Sequence, residues 1–508
     1  MPVPMPPTDA LFLAAETPKR PMHVGALALL SGPEGGHPHH VREMFAAALA
    51  RERVAPLWRR RPRRSLTSLG QWYWHTDTTA DLSYHVRLSA LPRNAGMAGL
   101  WDLVAELHSE MLDRSRPLWQ LHLIEGLGDQ RYGLYVKTHH AMADGVSAMG
   151  LLQRTVSADP DRRGMPAMWE IAGHARSSDT TATAGRAGGL SAARRVMETA
   201  EEWAGMVPAM ADTAWRALRG RGGPLSLAAP HTPLNVSMSN SRVVAGCTFP
   251  IERLRLVAKH ADATLNDVVL AMCSGALRRY LLAREALPAA PLVAMVPVSL
   301  REAENSGAPG DVPGNKIGTL MCSLGTHLAD PAERLAAVQA SMRDGKAALA
   351  RRSPLQVLAM SAVGAVPLAL AMVLGRAPGV PPPPNVMISN VPGPVGPLYW
   401  NGARLEALYP VSVPVDGQTL NITCTSLDGQ MSFGLTGCRR AVPQIGTLAD
   451  LLGRELDVLD AFHRLPEARR ERHHDRRPRR RPSSPRSGQA PAMRSSSRSG
   501  PQRPLGPR

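Results

Sequence analysis

Two adjacent histidines, His139 and His140, followed by Asp144 and Gly145, are the residues whose types and spacing best fit a catalytic site in this chain. Histidine exchanges a proton near neutral pH and often serves as a general base. A bare His-His pair carries little information, because the sequence contains two further pairs. The added Asp-Gly makes the HHxxxDG pattern a moderately specific indication of catalysis.

The pattern lies where a predicted strand meets a predicted helix. Apolar residues alternate over residues 132–136, which is the period of a half-buried strand, and a helical apolar stripe begins at Val146. Adjacent side chains at a strand end point to opposite sides, so His139 and His140 cannot do the same job. One can face a cleft while the other packs. Asp144 and Gly145 favour a tight loop.

Two other interpretations of this pattern remain open. The first is a core histidine followed by an Asx turn, because a single histidine is more often structural than catalytic. The second is a metal site, because His140 and Asp144 are four residues apart and could share a helix face. Gly145 and the preceding strand argue against a helix there, and local spacing suggests no third ligand. We therefore expect no metal.

The positive charge of the chain is concentrated in one segment. The formal net charge is +17 over 508 residues, but fourteen arginines and three acidic residues lie in residues 464–508. The remaining body is only weakly basic for its size. Arginine, proline and serine dominate the segment 465–508, which predicts a disordered tail. The tail has no aromatic residues to stack on bases, so no specific nucleic-acid partner is expected.

The cysteines and the apolar segments of the sequence indicate the cellular compartment that is expected for the protein. The five cysteines are far apart and form no CxxC pair, which favours reduced thiols in a cytosolic protein. No secretory signal is apparent at the N-terminus. Residues 353–375 contain no charge and are long enough to span a bilayer. Gly364 and Pro367 interrupt this run, so a buried or interfacial helix pair is favoured over a span.

Strand and helix patterns alternate along the chain, which predicts a layered α/β (α+β) protein. We expect an N-terminal subdomain at 1–156, a partly flexible and partly helical linker at 157–229, a C-terminal subdomain at 230–464, and the tail. The predicted strands include residues 21–30, 71–75, 81–88, 120–124, 292–298, 418–426 and 430–435. The predicted helices include residues 41–53, 100–112, 264–282 and 444–464.

Several separate motifs, in order along the chain, resemble one known family. The chain resembles the bacterial wax ester synthase/acyl-CoA:diacylglycerol acyltransferases, especially the actinobacterial members, from Thr8 to about Phe462. The motifs that carry the resemblance are Pro21-Met-His-Val24, Arg116-Pro-Leu-Trp119, His139 to Gly145, Asn266-Asp-Val268, Pro297-Val-Ser-Leu-Arg301, Gly314-Asn315 and Ser389-Asn-Val-Pro-Gly-Pro394.

The resemblance implies a fold and a reaction. The fold is that of the CoA-dependent acyltransferases, in which two subdomains, each a mixed sheet flanked by helices, enclose an active-site channel. The reaction moves a long-chain acyl group from acyl-CoA, a co-substrate, to diacylglycerol or a long-chain alcohol, and no cofactor is expected. A peripheral position on an anionic membrane or lipid-droplet surface, on the cytoplasmic side, is also expected. Acceptor preference, acyl chain length and oligomeric state are not predicted.

The resemblance also assigns roles to the histidine loop. His140 is expected to be the general base, and His139 to support it. Asp144 is expected to point away from the channel and pair with an arginine, for which Arg301 is the preferred candidate. Gly145 completes the loop. No GxSxG elbow is present, which disfavours a serine hydrolase.

Two further motifs also receive expected roles. Asn266 matches a family position near the active site and is expected either to donate to the thioester oxyanion or to cap a helix. A substrate-binding role is expected for Pro117, Leu118 and Trp119. The chain departs from the family near its C-terminal end, where Gly437-Cys438 stand in a region that commonly contains an aspartate. The alternatives are an enzyme of the same superfamily with a carrier-bound donor or another acceptor, and a weakly active lipid-binding protein.

Overall fold

A computed structural model describes residues 3–33, 39–64, 71–142, 145–172, 229–299, 317–350 and 384–464. It contains two six-stranded mixed sheets and a three-stranded sheet. The strands are β1 (Val3–Pro4), β2 (His23–Ser31), β3 (Arg60–Arg64), β4 (Trp72–Thr76), β5 (Val86–Ala90), β6 (Trp119–Glu125), β7 (Arg131–His139), β8 (Arg242–Pro250), β9 (Val293–Ser299), β10 (Ile317–Ser323), β11 (Val386–Val391), β12 (Tyr399–Trp400), β13 (Ala403–Val411), β14 (Leu420–Leu427) and β15 (Gln430–Cys438). The predicted α/β class, with two sheets flanked by helices, is confirmed.

The helices of the described residues cover one or both faces of these sheets. They are α1 (Pro7–Ala15), α2 (His40–Leu49), α3 (Leu82–His85), α4 (Gly96–Ser109), α5 (Gly145–Thr155), α6 (Ile251–His260), α7 (Leu265–Leu282), α8 (Pro331–Ala350) and α9 (Ile445–Arg464). Short 3-10 helices occupy Pro56–Arg59 and Met168–Glu170.

The first sheet has the strand order β12-β13-β2-β7-β6-β5 and is antiparallel except between β5 and β6. Its strands bury both faces. Along β2, Leu27 and Leu29 belong to the core shared with α4, whereas Ala28 and Leu30 belong to the core on the opposite face. This alternation is what a strand period of two residues dictates.

The second sheet has the order β10-β9-β11-β14-β15-β8, with β11 parallel to both of its neighbours. One face is covered by α6, α7, α8 and α9, which form the largest hydrophobic core of the described residues. The chain does not keep its two halves strictly apart, because β12 and β13 join the first sheet although they follow β11 in sequence. The predicted subdomain boundaries at 156 and 230 therefore do not separate the strands of the first sheet from those of the second.

Glycine allows β13 to cross closely over the second sheet. A Cβ atom at Gly434 would collide with the backbone carbonyl of Pro410, and one at Gly246 would collide with the rings of Trp101 and Tyr409. Only glycine permits this approach. The two sheets thus meet through backbone contact at the point where the chain passes from one to the other.

Some predicted segments differ from the structure, and others lie outside the described residues. The strand predicted at 81–88 is wrong in its first half, because Asp81 accepts a hydrogen bond from the backbone N–H of Ser83 and caps the short helix α3 before β5 begins. Residues 157–172, predicted as linker, bring Trp169 into the core of the first sheet. Residues 173–228, 353–375 and 465–508 lie outside the described residues. Within the described part, no helix is long and apolar enough to cross a membrane.

Candidate active site

The two histidines lie at the end of β7, between β2 and the segment before β6. The backbone N–H of His139 donates to the carbonyl of Leu118 at 3.0 Å, and that of His140 donates to the carbonyl of Met22 at 2.8 Å. The adjacent residues are thus anchored to opposite neighbours. This is the alternation expected at a strand end.

His139 is fully buried, and both of its ring nitrogens face polar groups. Its Nδ1 accepts a hydrogen bond from the backbone N–H of Ala141 at 3.1 Å, and its Nε2 lies 3.4 Å from Oε1 of Glu16. Because Nδ1 is an acceptor, the neutral ring carries its proton on Nε2, on the side of the carboxylate. The ring of His139 is therefore held between the loop backbone and the Glu16 carboxylate.

Glu16 is the centre of this arrangement, although the sequence analysis did not identify it. Its side chain has no exposed area; Oε1 accepts from the N–H of Met22 at 3.0 Å, and Oε2 accepts from Nε of Arg114 at 2.9 Å. Burial raises the pKa of Glu16, but the interactions with His139, Met22 and Arg114 outweigh burial and lower the pKa below its usual value. Glu16 is thus a carboxylate at neutral pH. The only sequence signal was an acidic residue just ahead of the Pro21 motif.

His140 has a different environment. It is half-buried, and its ring stacks on Phe12 of α1 with the centroids 4.1 Å apart and the planes inclined by 22°. The stack orients the imidazole without enclosing it fully. The sequence did not indicate a role for Phe12, because a phenylalanine in a short apolar helix is typical of an ordinary core residue.

A row of buried polar groups lies beneath the loop, on the α4 side of the first sheet. His23, the cross-strand partner of His139, donates from Nε2 to the carbonyl of His108 at 2.9 Å. His108 accepts from the Tyr135 hydroxyl at 2.8 Å and donates to the carbonyl of Ser412 at 3.1 Å. Burial lowers the pKa of His108 to about 3 and that of His23 well below its usual value. Both are neutral, so they brace the loop through hydrogen bonds.

Lys137 lies in the same row and is fully buried. Its ammonium donates to the carbonyls of Leu107 at 2.7 Å and Glu110 at 3.0 Å, at the C-terminal end of α4. A cation is favourable at this end of a helix, where carbonyl groups lack partners. Burial nevertheless lowers the pKa of Lys137 to about 8. The lysine thereby ties α4 to the strand that ends in the histidines.

The Pro117-Leu118-Trp119 motif lies behind the loop. Leu118 and Trp119 have no exposed area. The indole of Trp119 donates to the carbonyl of Trp58 at 2.9 Å, and Leu118 packs in one cluster with Ala141. These contacts support the loop. The substrate-binding role expected for the motif stays a prediction.

Two family models match the sequence. The wax ester synthase/diacylglycerol acyltransferase catalytic domain matches residues 5–269, and the C-terminal domain of the same family matches residues 313–460. The chain belongs to the wax ester synthase/diacylglycerol acyltransferase family. The resemblance inferred from the motifs is therefore confirmed, and the chain is an acyltransferase by membership of this family.

Individual relatives agree with the family match. A putative diacylglycerol O-acyltransferase of Mycobacterium tuberculosis is 64% identical over 459 residues, which cover 90% of this chain and 91% of that protein. A probable diacylglycerol O-acyltransferase of the same organism is 43% identical over 456 residues, covering 90% of this chain and 98% of that one.

Solved structures agree as well. The wax ester synthase/diacylglycerol acyltransferase from Marinobacter aquaeolei VT8 has a TM-score of 0.73 at 35% identity, covering 91% of this chain and 100% of that chain. The first condensation domain of the CDA synthetase has a TM-score of 0.51 at 17% identity, covering 91% of this chain and 95% of its own. The second likeness shows the fold alone.

The position of Asn266 in this acyltransferase excludes one of its two expected roles. Helix α7 is capped by Thr264, whose hydroxyl accepts from the N–H of Asp267 at 3.2 Å, while the Asp267 carboxylate accepts from the N–H of Thr264 at 2.9 Å. The helix-cap interpretation of Asn266 is therefore wrong. Asn266 lies half-buried in the first turn, and its role as an oxyanion donor stays a prediction.

Only some of the remaining residues of the HHxxxDG loop and its expected partner lie within the described part of the chain. Asp144 and Arg301 lie outside the described residues, so their expected pairing stays a prediction. Helix α5 begins at Gly145, so His140 precedes the helix and does not share its face. Among the described histidines, cysteines and acidic residues, no group of three is placed to hold a metal ion.

The departure from the family at Gly437-Cys438 falls in the core. Cys438 ends β15, is fully buried, and accepts a hydrogen bond from the N–H of Ser239 at 3.3 Å. Burial raises the pKa of its thiol, but hydrogen bonds from Ser239 and the neighbouring backbone outweigh burial and lower it. Cys438 belongs to the hydrophobic core that covers the second sheet.

Proposed function

We propose that this protein transfers a long-chain fatty acyl group from acyl-CoA to diacylglycerol, which yields triacylglycerol, and to long-chain alcohols, which yields wax esters. The family match and the names of the relatives support this reaction class. The catalytic-domain match spans His139, His140 and Asn266.

The chemical step needs one base and one oxyanion donor. His140 takes the hydroxyl proton of the acceptor as its oxygen attacks the thioester carbonyl. The tetrahedral oxyanion accepts a hydrogen bond from the Asn266 amide. When the C–S bond breaks, the CoA sulfur leaves as the thiol, with the proton returned by His140. The atoms balance without a covalent enzyme intermediate.

The difference between the two histidines carries the assignment of the base. His139 is fully buried, accepts from Ala141 and faces the Glu16 carboxylate. His140 is half-buried and stacks on Phe12. A ring whose nitrogens are both directed at protein groups is suited to a positioning role, whereas a partly accessible, oriented ring is suited to proton transfer. His139 therefore supports the loop, and His140 is the base.

A lipid surface is part of the proposal, because both acyl acceptors are insoluble in water. The arginine-rich tail at 465–508 supports attraction to anionic headgroups on the cytoplasmic side of a membrane or on a lipid droplet. The uncharged run at 353–375 is proposed to contact lipid or to line the acyl channel.

Paired substitutions test the assignment of the base. His140→Ala should lower kcat by about 100-fold or more with both diacylglycerol and hexadecanol, because general-base catalysis contributes about that much. His139→Ala should lower it less at equal folding. His260→Ala, on the exposed end of α6, serves as the matched control. Product formation from radiolabelled acyl-CoA, resolved by lipid chromatography, is the measurement.

Three outcomes would contradict the proposal. A His140→Ala enzyme within about tenfold of the parent would remove this residue as the base. Turnover with carrier-bound but not CoA-bound acyl groups would indicate a different donor. Lipid binding by the parent protein without turnover of either acceptor would indicate a non-catalytic relative.

A further inference from the structure

The segment between α1 and β2, residues 16–22, contacts both histidines of the loop. Glu16 begins the segment and faces Nε2 of His139, and the carbonyl of Met22 accepts from the N–H of His140 at 2.8 Å. The N–H of Met22 in turn donates to Glu16 at 3.0 Å. The two ends of the segment are thus tied to each other and to the loop, so a shift of the segment moves a partner of each histidine.

The middle of this segment is a tight turn. Thr17 and Arg20 exchange two backbone hydrogen bonds, of 3.2 and 2.8 Å, with Pro18 and Lys19 between them. The proline ring fixes the φ angle of Pro18, which favours such a turn. The turn is therefore stiff, and a contact at its tip restrains both ends of the segment.

Arg242, the first residue of β8, holds the tip of this turn. It is only 1% exposed, and its two Nη atoms donate to the carbonyl of Lys19 at 2.7 Å and to the carbonyl of Ser239 at 2.6 Å. Its backbone N–H donates to the hydroxyl of Ser109, the last residue of α4, at 2.9 Å. Arg242 thus joins the second sheet to the turn and to α4.

An ion pair restrains the turn as well. Nη1 of Arg20 lies 3.0 Å from Oδ2 of Asp416, in the connection between β13 and β14, and the two side chains are only 15% and 18% exposed. Oδ1 of Asp416 accepts from the backbone N–H of Met238 at 2.6 Å. Because both of its oxygens face donors, the carboxylate is fixed in place. The turn is therefore held from two sides by residues that adjoin the second sheet.

A buried cation is a poor choice for stability alone. The side chain of Arg242 donates to neutral carbonyls, and burial lowers its pKa to about 10 from 12.5. Replacing buried charged groups by apolar side chains of similar volume is often neutral or stabilising. A guanidinium, unlike an apolar side chain, fixes two acceptors at once in a defined plane. Arg242 is therefore better suited to fixing the geometry of the turn than to stabilising the core.

We propose that Arg242 and Asp416 are positioning residues of the acyl-transfer site: they hold the turn at residues 17–20 and thereby fix the orientation of His140. Each acts on the histidines through the turn, so the second sheet contributes to the site through residues 16–22. The catalytic purpose of this contact rests on the proposed function, whereas its effect on the exposure of His140 does not. A displacement of about 1 Å at a reacting group can lower kcat by about 100-fold.

Substitution of Asp416 in the full-length chain tests the ion pair. Asp416→Asn keeps an acceptor for Met238 and removes the charge that faces Arg20. Asp428→Asn is the matched control, because it breaks a 2.9 Å ion pair with Arg404 outside the turn. Asp416→Asn should lower kcat about tenfold and change KM for acyl-CoA by less than about twofold. The control should change neither, and Asp416→Glu, which retains the charge, should recover most of kcat.

Substitution of Arg242 tests the contact with the tip of the turn. Arg242→Met removes both side-chain hydrogen bonds and should lower kcat by about ten- to 100-fold, whereas Arg242→Lys, which retains the charge, should lose less. A double variant, Glu16→Gln/Asp416→Asn, tests whether both residues act through one segment. Its loss of kcat should be close to the larger single loss, because the first change already releases the segment. A loss equal to the product of the two single losses would contradict the proposal.

Chemical modification measures the loop without turnover. Diethylpyrocarbonate modifies accessible imidazoles, and mass spectrometry with fragmentation reads His140 separately from His139. Because His140 is half-buried and stacked on Phe12, release of the turn should raise its modification rate severalfold in Arg242→Met and Asp416→Asn. The rate should not change in Asp428→Asn.

The combined results decide between positioning and simple packing. Unchanged kcat and unchanged modification of His140 in Asp416→Asn and Arg242→Met would overturn the proposal. A fall in kcat that only follows the folded fraction, measured by thermal melting, would also overturn it. If Arg242→Met fails to fold, the Asp416 variants, at a partly exposed position, carry the test. A parent protein without turnover would contradict the proposed function, and the modification rates would then decide the positioning role by themselves.

Discussion

The substitution Glu16→Gln removes the negative charge of Glu16 and leaves the shape of the side chain almost unchanged. The amide keeps an acceptor for the N–H of Met22 but loses the negative charge that faces Arg114 and the Nε2 proton of His139. Hydrogen bonds to charged groups are worth about 1.5–3 kcal/mol, against about 0.5–1.5 kcal/mol for neutral ones. Arg114 is one-third exposed, which reduces its share. We therefore expect the free energy of unfolding to fall by about 2 kcal/mol at neutral pH.

The direction of the Glu16 pKa shift determines how the stability difference between parent and variant changes with pH. The pKa of Glu16 is lowered in the folded protein, so its stabilisation is present at pH values above the unfolded pKa and is lost as the pH falls through the folded pKa. Glu16→Gln removes that titration. The difference in melting temperature between parent and variant should therefore be largest near pH ~7 and should shrink towards pH ~4.

Activity should fall together with stability, because Glu16 contacts His139, the residue next to the proposed base His140. A misplacement of the loop by about 1 Å lowers kcat by up to about 100-fold, so we expect a loss of roughly ten- to 100-fold in kcat with little change in KM for acyl-CoA. Glu252→Gln, at a 71% exposed side chain on α6, is the control. A Glu16→Gln protein that melts like the parent at both pH values and retains its kcat would refute the positioning role.

Two further predictions follow from the same contacts and from the sequence. Burial lowers the pKa of Lys137 to about 8 from 10.5. Between these two pH values the unfolded chain therefore binds more protons than the folded chain, so the stability of the parent relative to Lys137→Met should rise with pH over that range. Urea denaturation at several pH values measures this difference. Deletion from Arg469 onward should retain transferase activity and weaken flotation with anionic vesicles, most clearly at low salt; unchanged flotation would remove the tail from lipid binding.

Much of the architecture follows from local periodicity. Alternating apolar residues predicted β7, and the helical stripe after it predicted α5, so the histidine pair was placed correctly at the end of a strand. The opposite anchoring of His139 and His140 follows from strand geometry alone. The strand predicted at residues 81–88 was wrong in its first half, where the Asp81 cap begins a helical turn before β5.

The surroundings of the histidines depend on pairings that no local pattern encodes. Glu16 and Arg114 are 98 residues apart in sequence, and His23 and His108 are 85 apart. A hydrophobic period of two or of 3.6 residues predicts which face of a strand or helix is buried, but it does not predict which distant element covers that face. The contacts that distinguish His140 from His139 therefore appeared only in the folded chain.

The sequence by itself determined most of the elements, the strand-end position of the HHxxxDG pattern and the family, because these depend on spacing within segments and on the order of motifs along the chain. The tertiary structure decided that Glu16 holds His139, that Phe12 stacks on His140 and that β13 leaves its neighbours to join the first sheet. Each of these is a close approach between residues far apart in the chain. Such approaches are selected by the packing of whole faces and by the satisfaction of buried polar groups, which only the assembled fold specifies.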